Sequence, residues 1–261
     1  MREVLPTLRP ITQRDYAQYF RLLDVVFGEL PIERIRPFDI AEYLRVRGET
    51  SKVRANREKA LFSTIFNYAR AWGYVDSVNP CVGVKGFKEK ARDRYVSDEE
   101  YLSLWRTAHP TVQDAMDLAL CTAQRPADVL KIVVGDIADG KLSISQNKTG
   151  KKLRIAIEGD LADVIARILA KPRSTTNHTL LQDPDGKSLT YFALRSRFDK
   201  AREKSGVSFQ FRDLRAKAAT DVEDLAHAQS LLGHKNRSTT EIYTRERRGD
   251  LVRPLFKRGK D

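Results

Sequence analysis

Three features predict a mainly α protein with a small antiparallel β-sheet, built as an N-terminal helical bundle followed by an α+β domain. Apolar residues recur at helical spacing through most of the 261 residues. Strict apolar/polar alternation is confined to a short window, roughly residues 141–157. Between the two regions, residues 83–94 (GVKGFKEKARDR) carry two glycines, many charges and little periodicity, the composition of an exposed linker. The expected organisation is a helical domain over 1–82, a linker over 83–94 and an α+β domain over 95–261.

The first helix is expected over 13–27, where Tyr16, Tyr19, Phe20, Leu23, Val26 and Phe27 trace one face. Thr12 and Asp15 are a start signal of the capping-box kind. A second helix is expected near 38–47, between Pro37 and Gly48. A third is expected over 54–72, with Leu61, Phe62, Ile65, Phe66, Ala69 and Trp72 on its apolar side. Gly73 ends it, and Asn79-Pro80 blocks continuation.

Ser97, with Glu100 three residues on, opens a helix in the second domain. Residues 129–134, rich in Val and Ile, predict a strand. Leu142 and Ile144, then Leu153, Ile155 and Ile157, predict two more strands around a hairpin turn at Thr149-Gly150. Residues 160–170, 190–205, 211–232 and 238–247 predict helices.

Charge narrows the partners. Forty-seven Lys and Arg face 35 Asp and Glu, a formal net charge of +12. So basic a chain suits a polyanion, nucleic acid or an anionic membrane surface. The mean hydropathy is −0.49, and no apolar run approaches the roughly 18–20 residues of a membrane span. No secretory signal opens the sequence. Two cysteines, Cys81 and Cys121, and four scattered histidines exclude a disulfide scaffold and a four-cysteine zinc site. The expectation is a soluble, cytosolic, metal-free protein. Basic residues concentrate twice. Between 45 and 70 there are seven (Arg45, Arg47, Lys52, Arg54, Arg57, Lys59, Arg70) against two glutamates, and between 235 and 260 there are nine against three acids. Either run alone is compatible with a solvated helix face; together they favour a surface that follows a phosphate backbone.

Four segments hold the unusual chemistry: TAQRPADVL (122–130), SQNKTGKK (145–152), FRDLRAKAATD (211–221) and LLGHKNRSTTEIYTR (231–245). Arg125 precedes Pro126 and has Asp128 nearby, so it suits either a phosphate clamp or a structural ion pair. Arg212 and Arg215, three apart on a predicted helix, share a face. The planar guanidinium fork matches phosphate oxygens. Lys148 lies in the hairpin turn, with Lys151 and Lys152 as neighbouring alternatives. His234 follows Gly233, a helix-ending position, and Ser238 with Glu241 is read as the start of a helix carrying Tyr243. A tyrosine there ordinarily serves packing, and its hydroxyl is a poor nucleophile unless cations lower its pKa of about 10. There is no P-loop, dinucleotide fingerprint or carboxylate cluster for a two-metal site.

In the order and spacing of these segments, and over nearly its whole length, the chain resembles a tyrosine recombinase of the phage-integrase type. The resemblance implies a core-binding bundle followed by a catalytic domain. It assigns Arg125, Lys148, Arg212, Arg215, His234 and Tyr243 to catalysis. Tyr243 is the nucleophile that forms a 3′-phosphotyrosyl link, and Lys148 is the acid for the leaving 5′ hydroxyl. Neither metal nor ATP is implied, because the tyrosyl ester keeps the bond energy. The implied partners are double-stranded DNA attachment sites, a homotetramer on DNA working through a Holliday junction, and accessory DNA-bending proteins. Arg45, Arg47, Lys52, Arg54, Arg57 and Lys59 are the candidate DNA contacts of the bundle.

Three departures stand out. Arg212 occupies a position where the family usually has histidine, and arginine cannot act as a base near neutral pH. Ala123 and Ala127 stand where glycine is frequent. The chain opens almost directly on the core-binding bundle, whereas many phage integrases carry an arm-binding domain first. The rival readings are a catalytically degenerate DNA-binding protein on the same fold, and an enzyme of the type IB topoisomerase or telomere-resolvase kind.

Overall fold

A computed structural model describes residues 3–90, 92–222 and 224–241. The chain divides into two compact units, Met1–Ala91 and Arg92–Asp261. As expected, it is mainly helical with one small antiparallel sheet.

The first unit is built on α1 (Pro10–Phe27) and α2 (Pro37–Ala71). Helix α1 starts earlier than its apolar pattern indicates. Pro10 occupies the first helical position, where its missing N–H costs nothing, and Thr12 lies inside the helix instead of capping it. Leu23 and Phe27 are buried, while Phe20 and Val26 stay exposed. The two helices expected at 38–47 and 54–72 are one run, kinked at Ser51, whose φ and ψ are −161° and 101°. Gly48 therefore does not stop a helix. It admits a ring: a Cβ at Gly48 would lie 2.2 Å from Phe87 Cζ. Beyond α2, Gly73 takes a φ of 76° and Tyr74 N–H donates back to Ala69 O at 2.9 Å. Leu23, Phe27, Ile35, Ile40, Tyr43, Leu61, Phe62 and Phe66 make the core.

The stretch 83–94 carries bonds of its own. Asn56 reaches both the N–H and the carbonyl of Phe87, at 2.8 and 2.9 Å. Lys59 donates to Val84 O, and Arg57 pairs with Glu89.

The second unit centres on α4 (Pro110–Thr122), buried around most of its circumference as a core helix should be. It packs against α6 (Gly159–Leu169), α7 (Tyr191–Ser205) and α8 (Asp213–Asp221), and α3 (Asp98–Thr107) lies on α7. Ser97 and Glu100 form the expected capping box at the start of α3.

The strand expected over 129–134 does not form. Val129 ends a short helix, α5 (Pro126–Val129), and Asp136 accepts from Val133 N–H at 2.9 Å, closing a turn. Val133 keeps a single antiparallel bridge to Thr179, flanked by bonds Val134 N–H to His178 O and Leu180 N–H to Ile132 O. The sheet is β1 (Ile137–Ala138), β2 (Lys141–Ser145) and β3 (Lys152–Ala156) in sequential antiparallel order. Its register pairs Leu142 with Ile155 and Ile144 with Leu153. The hairpin turns at Thr149-Gly150 as expected, with Gly150 at φ 69°.

The single helix expected over 211–232 is two, α8 and α9 (Leu225–Leu232). Asp224 caps α9 by accepting from Ala226 and His227 N–H at 3.1 and 2.9 Å. The last described helical residues begin at 237, so Ser238 lies inside that helix and not at its cap.

Gly48→Ala should lower unfolding stability by roughly 1–3 kcal/mol, since its methyl would displace the Phe87 ring that packs on Gly48. Urea denaturation measures this. The added change Phe87→Ala should remove the clash and make Gly48→Ala nearly harmless.

Candidate active site

The site is assembled where the ends of two helices meet a buried arginine. Helix α4 ends at Ala123, which adopts φ 52° although it is not glycine, and α9 ends at Gly233, φ 66°. Helix C-termini leave carbonyls without intrahelical partners and carry the negative end of the dipole. Arg215, 4% exposed, fills that need. Nη1 donates to Ala123 O, and Nη2 donates to Leu232 O at 2.7 Å. Its charge is buried, and both terminal nitrogens donate to helix-end carbonyls.

His234 lies against this arginine, its Nε2 3.3 Å from Arg215 Nη2 and its Nδ1 3.0 Å from Thr240 Oγ1. Guanidinium has only donors, so Nε2 is the acceptor and the ring proton sits on Nδ1, facing Thr240. Burial, then the charges of Arg215 and Arg125, lower the His234 pKa to about 4. The ring is neutral at physiological pH.

Arg125 occupies the N-cap position of α5, without a side-chain capping bond. The ion pair with Asp128, one of the two alternatives for this residue, is loose, Nη1 to Oδ2 being 3.8 Å. Asp128 spends its other oxygen on Asn147 N–H at 2.6 Å, tying the start of α5 to the hairpin. The Arg125 side chain is 28% exposed, yet its Nη1 is buried with no hydrogen-bond partner among the described residues. Charge links it to His234.

Two residues that the sequence reading passed over hold these segments in register. Gln146 Nε2 donates to Gln124 Oε1 at 2.8 Å and to Leu232 O at 2.9 Å, while Gln124 Nε2 donates to Leu231 O at 2.9 Å. Both glutamines are buried. A Cβ at Gly233 would meet Gln146 Nε2 at 2.9 Å, which adds a packing reason for glycine there. Both glutamines lie inside the quoted motifs, but nothing in their spacing marks them as buried.

Arg212 and Arg215 differ in burial, Arg215 being inside and Arg212 outside. Arg212 occupies the N-cap position of α8 and is exposed. It opens on a groove lined also by Pro126, Tyr191, Arg195, Phe198 and Arg202. Pro126 follows Arg125 directly, so the groove borders the same site. Asp213 is buried and braces the helix start by accepting from Gln210 N–H at 2.7 Å. Lys148 is exposed in the turn of the β2–β3 hairpin, as are Lys151 and Lys152. Tyr243, and the tail with Val252, Leu255 and Phe256, lie outside the described residues.

The basic residues of the first unit are unequal. Arg47 donates to buried Glu58 at 2.8 and 2.7 Å, and Tyr43 donates to the same carboxylate at 2.8 Å. Burial and then Glu58 raise the Tyr43 pKa. Arg45 pairs with Glu42 and Glu49, Arg57 with Glu89, and Lys59 with Val84 O. Lys52 lies over the Phe87 ring at 5.8 Å, and Arg54 is exposed.

The profile of the phage integrase family matches residues 94–249, which include all six candidate catalytic positions. The chain belongs to the phage integrase family. It is a tyrosine recombinase, a DNA breaking and rejoining enzyme. The integrase of Escherichia phage HK022 is 30% identical over 93% of this chain and 72% of its own length. The integrase of Escherichia phage lambda is 28% identical over 92% of this chain and 72% of its own. Among solved structures, a lambda integrase dimer bound to a COC′ core site aligns at a TM-score of 0.84 and 24% identity, covering 96% of this chain and 94% of that one. A lambda integrase tetramer bound to a Holliday junction aligns at 0.81 and 24%, covering 90% and 75%. No helix among the described residues is long and apolar enough to cross a membrane.

A depressed histidine pKa has a definite sign. The unfolded ring, near 6.5, binds a proton that the folded ring refuses until about pH 4. The stability that neutral His234 contributes is present above pH 6.5 and lost as pH falls from there to 4. Urea midpoints taken at pH 7 and pH 4.5 should fall less for His234→Gln than for the parent recombinase.

Proposed function

We propose that this recombinase exchanges DNA strands at specific attachment sites through a 3′-phosphotyrosyl intermediate on Tyr243. The observation that carries the reading is the site around Arg215: a buried cation held by two helix ends, with His234 against it and Arg125 close enough to depress the histidine's pKa. A scissile phosphate placed there meets fixed positive charge as its phosphorane gains negative charge. The Tyr243 oxygen attacks phosphorus, its proton passing to solvent, and the bond to the 5′ oxygen breaks. Lys148, on the hairpin turn, gives its proton to that leaving oxygen. A second 5′ hydroxyl then attacks the tyrosyl ester and reverses the step, so the bond energy is retained without ATP.

Arg212, exposed on the neighbouring groove, clamps a phosphate oxygen and plays no part in proton transfer, because it stays charged throughout. Neutral His234 steadies the Arg215 guanidinium, accepting from it at Nε2 while Nδ1 faces Thr240. The related lambda integrase has been solved as a dimer on a core site and as a tetramer on a Holliday junction. By that likeness this chain works as a homotetramer on double-stranded DNA, with room for accessory DNA-bending proteins. In the first unit, Lys52 and Arg54 are the best placed of the basic residues to meet phosphates, since Arg45, Arg47, Arg57 and Lys59 already have acidic or carbonyl partners.

Incubation in EDTA with a nicked duplex carrying the attachment sequence should give a covalent protein–DNA adduct that Tyr243→Phe abolishes. Binding without any adduct in the parent protein would select the DNA-binding-only reading. Relaxation without exchange between two sites would select the topoisomerase-like one. Lys148→Ala should slow cleavage at least tenfold, about 1.4 kcal/mol of barrier, with little change in affinity.

Removing Lys52 or Arg54 should lower the salt slope of DNA binding by about one each and weaken binding uniformly across sequences. Arg47→Ala should instead cost about 3–5 kcal/mol of stability by stranding the Glu58 carboxylate. Filter binding across a salt series and urea denaturation separate the two effects.

A further inference from the structure

Helix α8 carries Arg215 on one side and a charged stripe on the other. Asp213, Lys217 and Asp221 recur every four residues and so lie along one face, while Arg215 lies about half a turn away. That stripe is engaged by the irregular segment leading into α3 and by the first residue of α3. Arg92 grips Asp213 with a bidentate fork, Nε at 2.9 Å from Oδ1 and Nη2 at 2.7 Å from Oδ2. Tyr95 donates to Asp221 Oδ1 at 2.8 Å, and its ring lies 5.2 Å from Lys217 Nζ. Lys217, 1% exposed, pairs with Asp98 and with Asp221, the latter at 2.9 Å. Burial alone would pull the Lys217 pKa down, but the two carboxylates outweigh it and raise it.

The helix so held is nine residues long, too short to keep its own shape or place in water. Its position is set by what grips it. Asp213 sits between the exposed Arg212 and the buried Arg215, and its carboxylate also accepts from Gln210 N–H within the same turn. Arg92 therefore ties this turn to the segment before α3, beside the ties that Arg215 makes to the ends of α4 and α9.

We propose that Arg92 is a positioning residue for the Arg212–Arg215 turn, holding it through Asp213 so that both guanidinium groups present to one phosphate, with Tyr95 and Lys217 as the second anchor of the same helix. Arg92 acts through Asp213 and does not itself touch the reacting atoms. The consequence for catalysis rests on the recombinase reading above; the mechanical part does not.

The test compares Arg92→Ala, Arg92→Lys and Tyr95→Phe with the parent full chain in two assays, at a temperature where circular dichroism shows each to be folded. Single-turnover cleavage of the nicked substrate at saturating protein should fall at least tenfold in Arg92→Ala. In Arg92→Lys, which keeps the charge and loses the fork, it should fall about threefold. The DNA dissociation constant should stay within twofold. Amide hydrogen exchange over 213–221 should quicken in Arg92→Ala and, to a lesser degree, in Tyr95→Phe. Cleavage within twofold of the parent by folded Arg92→Ala overturns the catalytic part. Unchanged exchange over 213–221 overturns the positioning itself. If the parent forms no adduct, the recombination reading fails on its own and the exchange data still decide whether Arg92 holds the helix.

Discussion

One buried guanidinium organises the second unit. Arg215 is removed from water, and a buried charge must find acceptors or be expelled. It finds the carbonyls of Ala123 and Leu232, the ends of α4 and α9, where the backbone itself lacks partners. A lysine in the same place, a point charge on a flexible stem, could not hold both in one plane. The arrangement explains why an alanine at position 123 tolerates a left-handed φ of 52°. That conformation costs roughly 1–2 kcal/mol for a residue with a Cβ, and it aims the carbonyl at the guanidinium. Gly233 does the same at the other end without the penalty. His234 and the start of α5 are placed as a consequence.

Much of the site was legible from the sequence. Arg125, Arg215 and His234 stand in segments whose composition is hard to explain by packing, and the structure brings those segments together. The hairpin around Thr149-Gly150 was equally plain, because a glycine with positive φ between alternating strands has few other uses. Other features were hidden for physical reasons. Spacing alone puts Arg212 and Arg215 on one face, but it does not reveal that Arg212, at the N-cap, is exposed while Arg215 is buried. The Val- and Ile-rich run at 129–134 was cut short by Asp136 capping Val133, a local bond that overrides β propensity. The break at 222–224 was signalled by Asp224, whose carboxylate competes well for free N–H groups, yet the flanking helical periodicity masks it. Gln124 and Gln146 give no sequence signal at all, since burial of an amide depends on partners far along the chain.

The first unit shows how net charge overstates a binding surface. Four of the six candidate DNA contacts there are paired with Glu42, Glu49, Glu58, Glu89 or a backbone oxygen. Glu58, fully buried, is satisfied by Arg47 and Tyr43 together, so part of the basic run is core chemistry. Charge density bounds the class of partner; only the free members of the run can be spent on phosphates.

The account turns on Arg215 holding two chain segments at once, and amide hydrogen exchange in Arg215→Lys reads that most directly. The prediction is that exchange quickens together at 122–124 and at 232–234, segments more than 100 residues apart in sequence, while the α3 and α6 amides stay protected. Faster exchange confined to α8, with both helix ends as slow as in the parent, would contradict it.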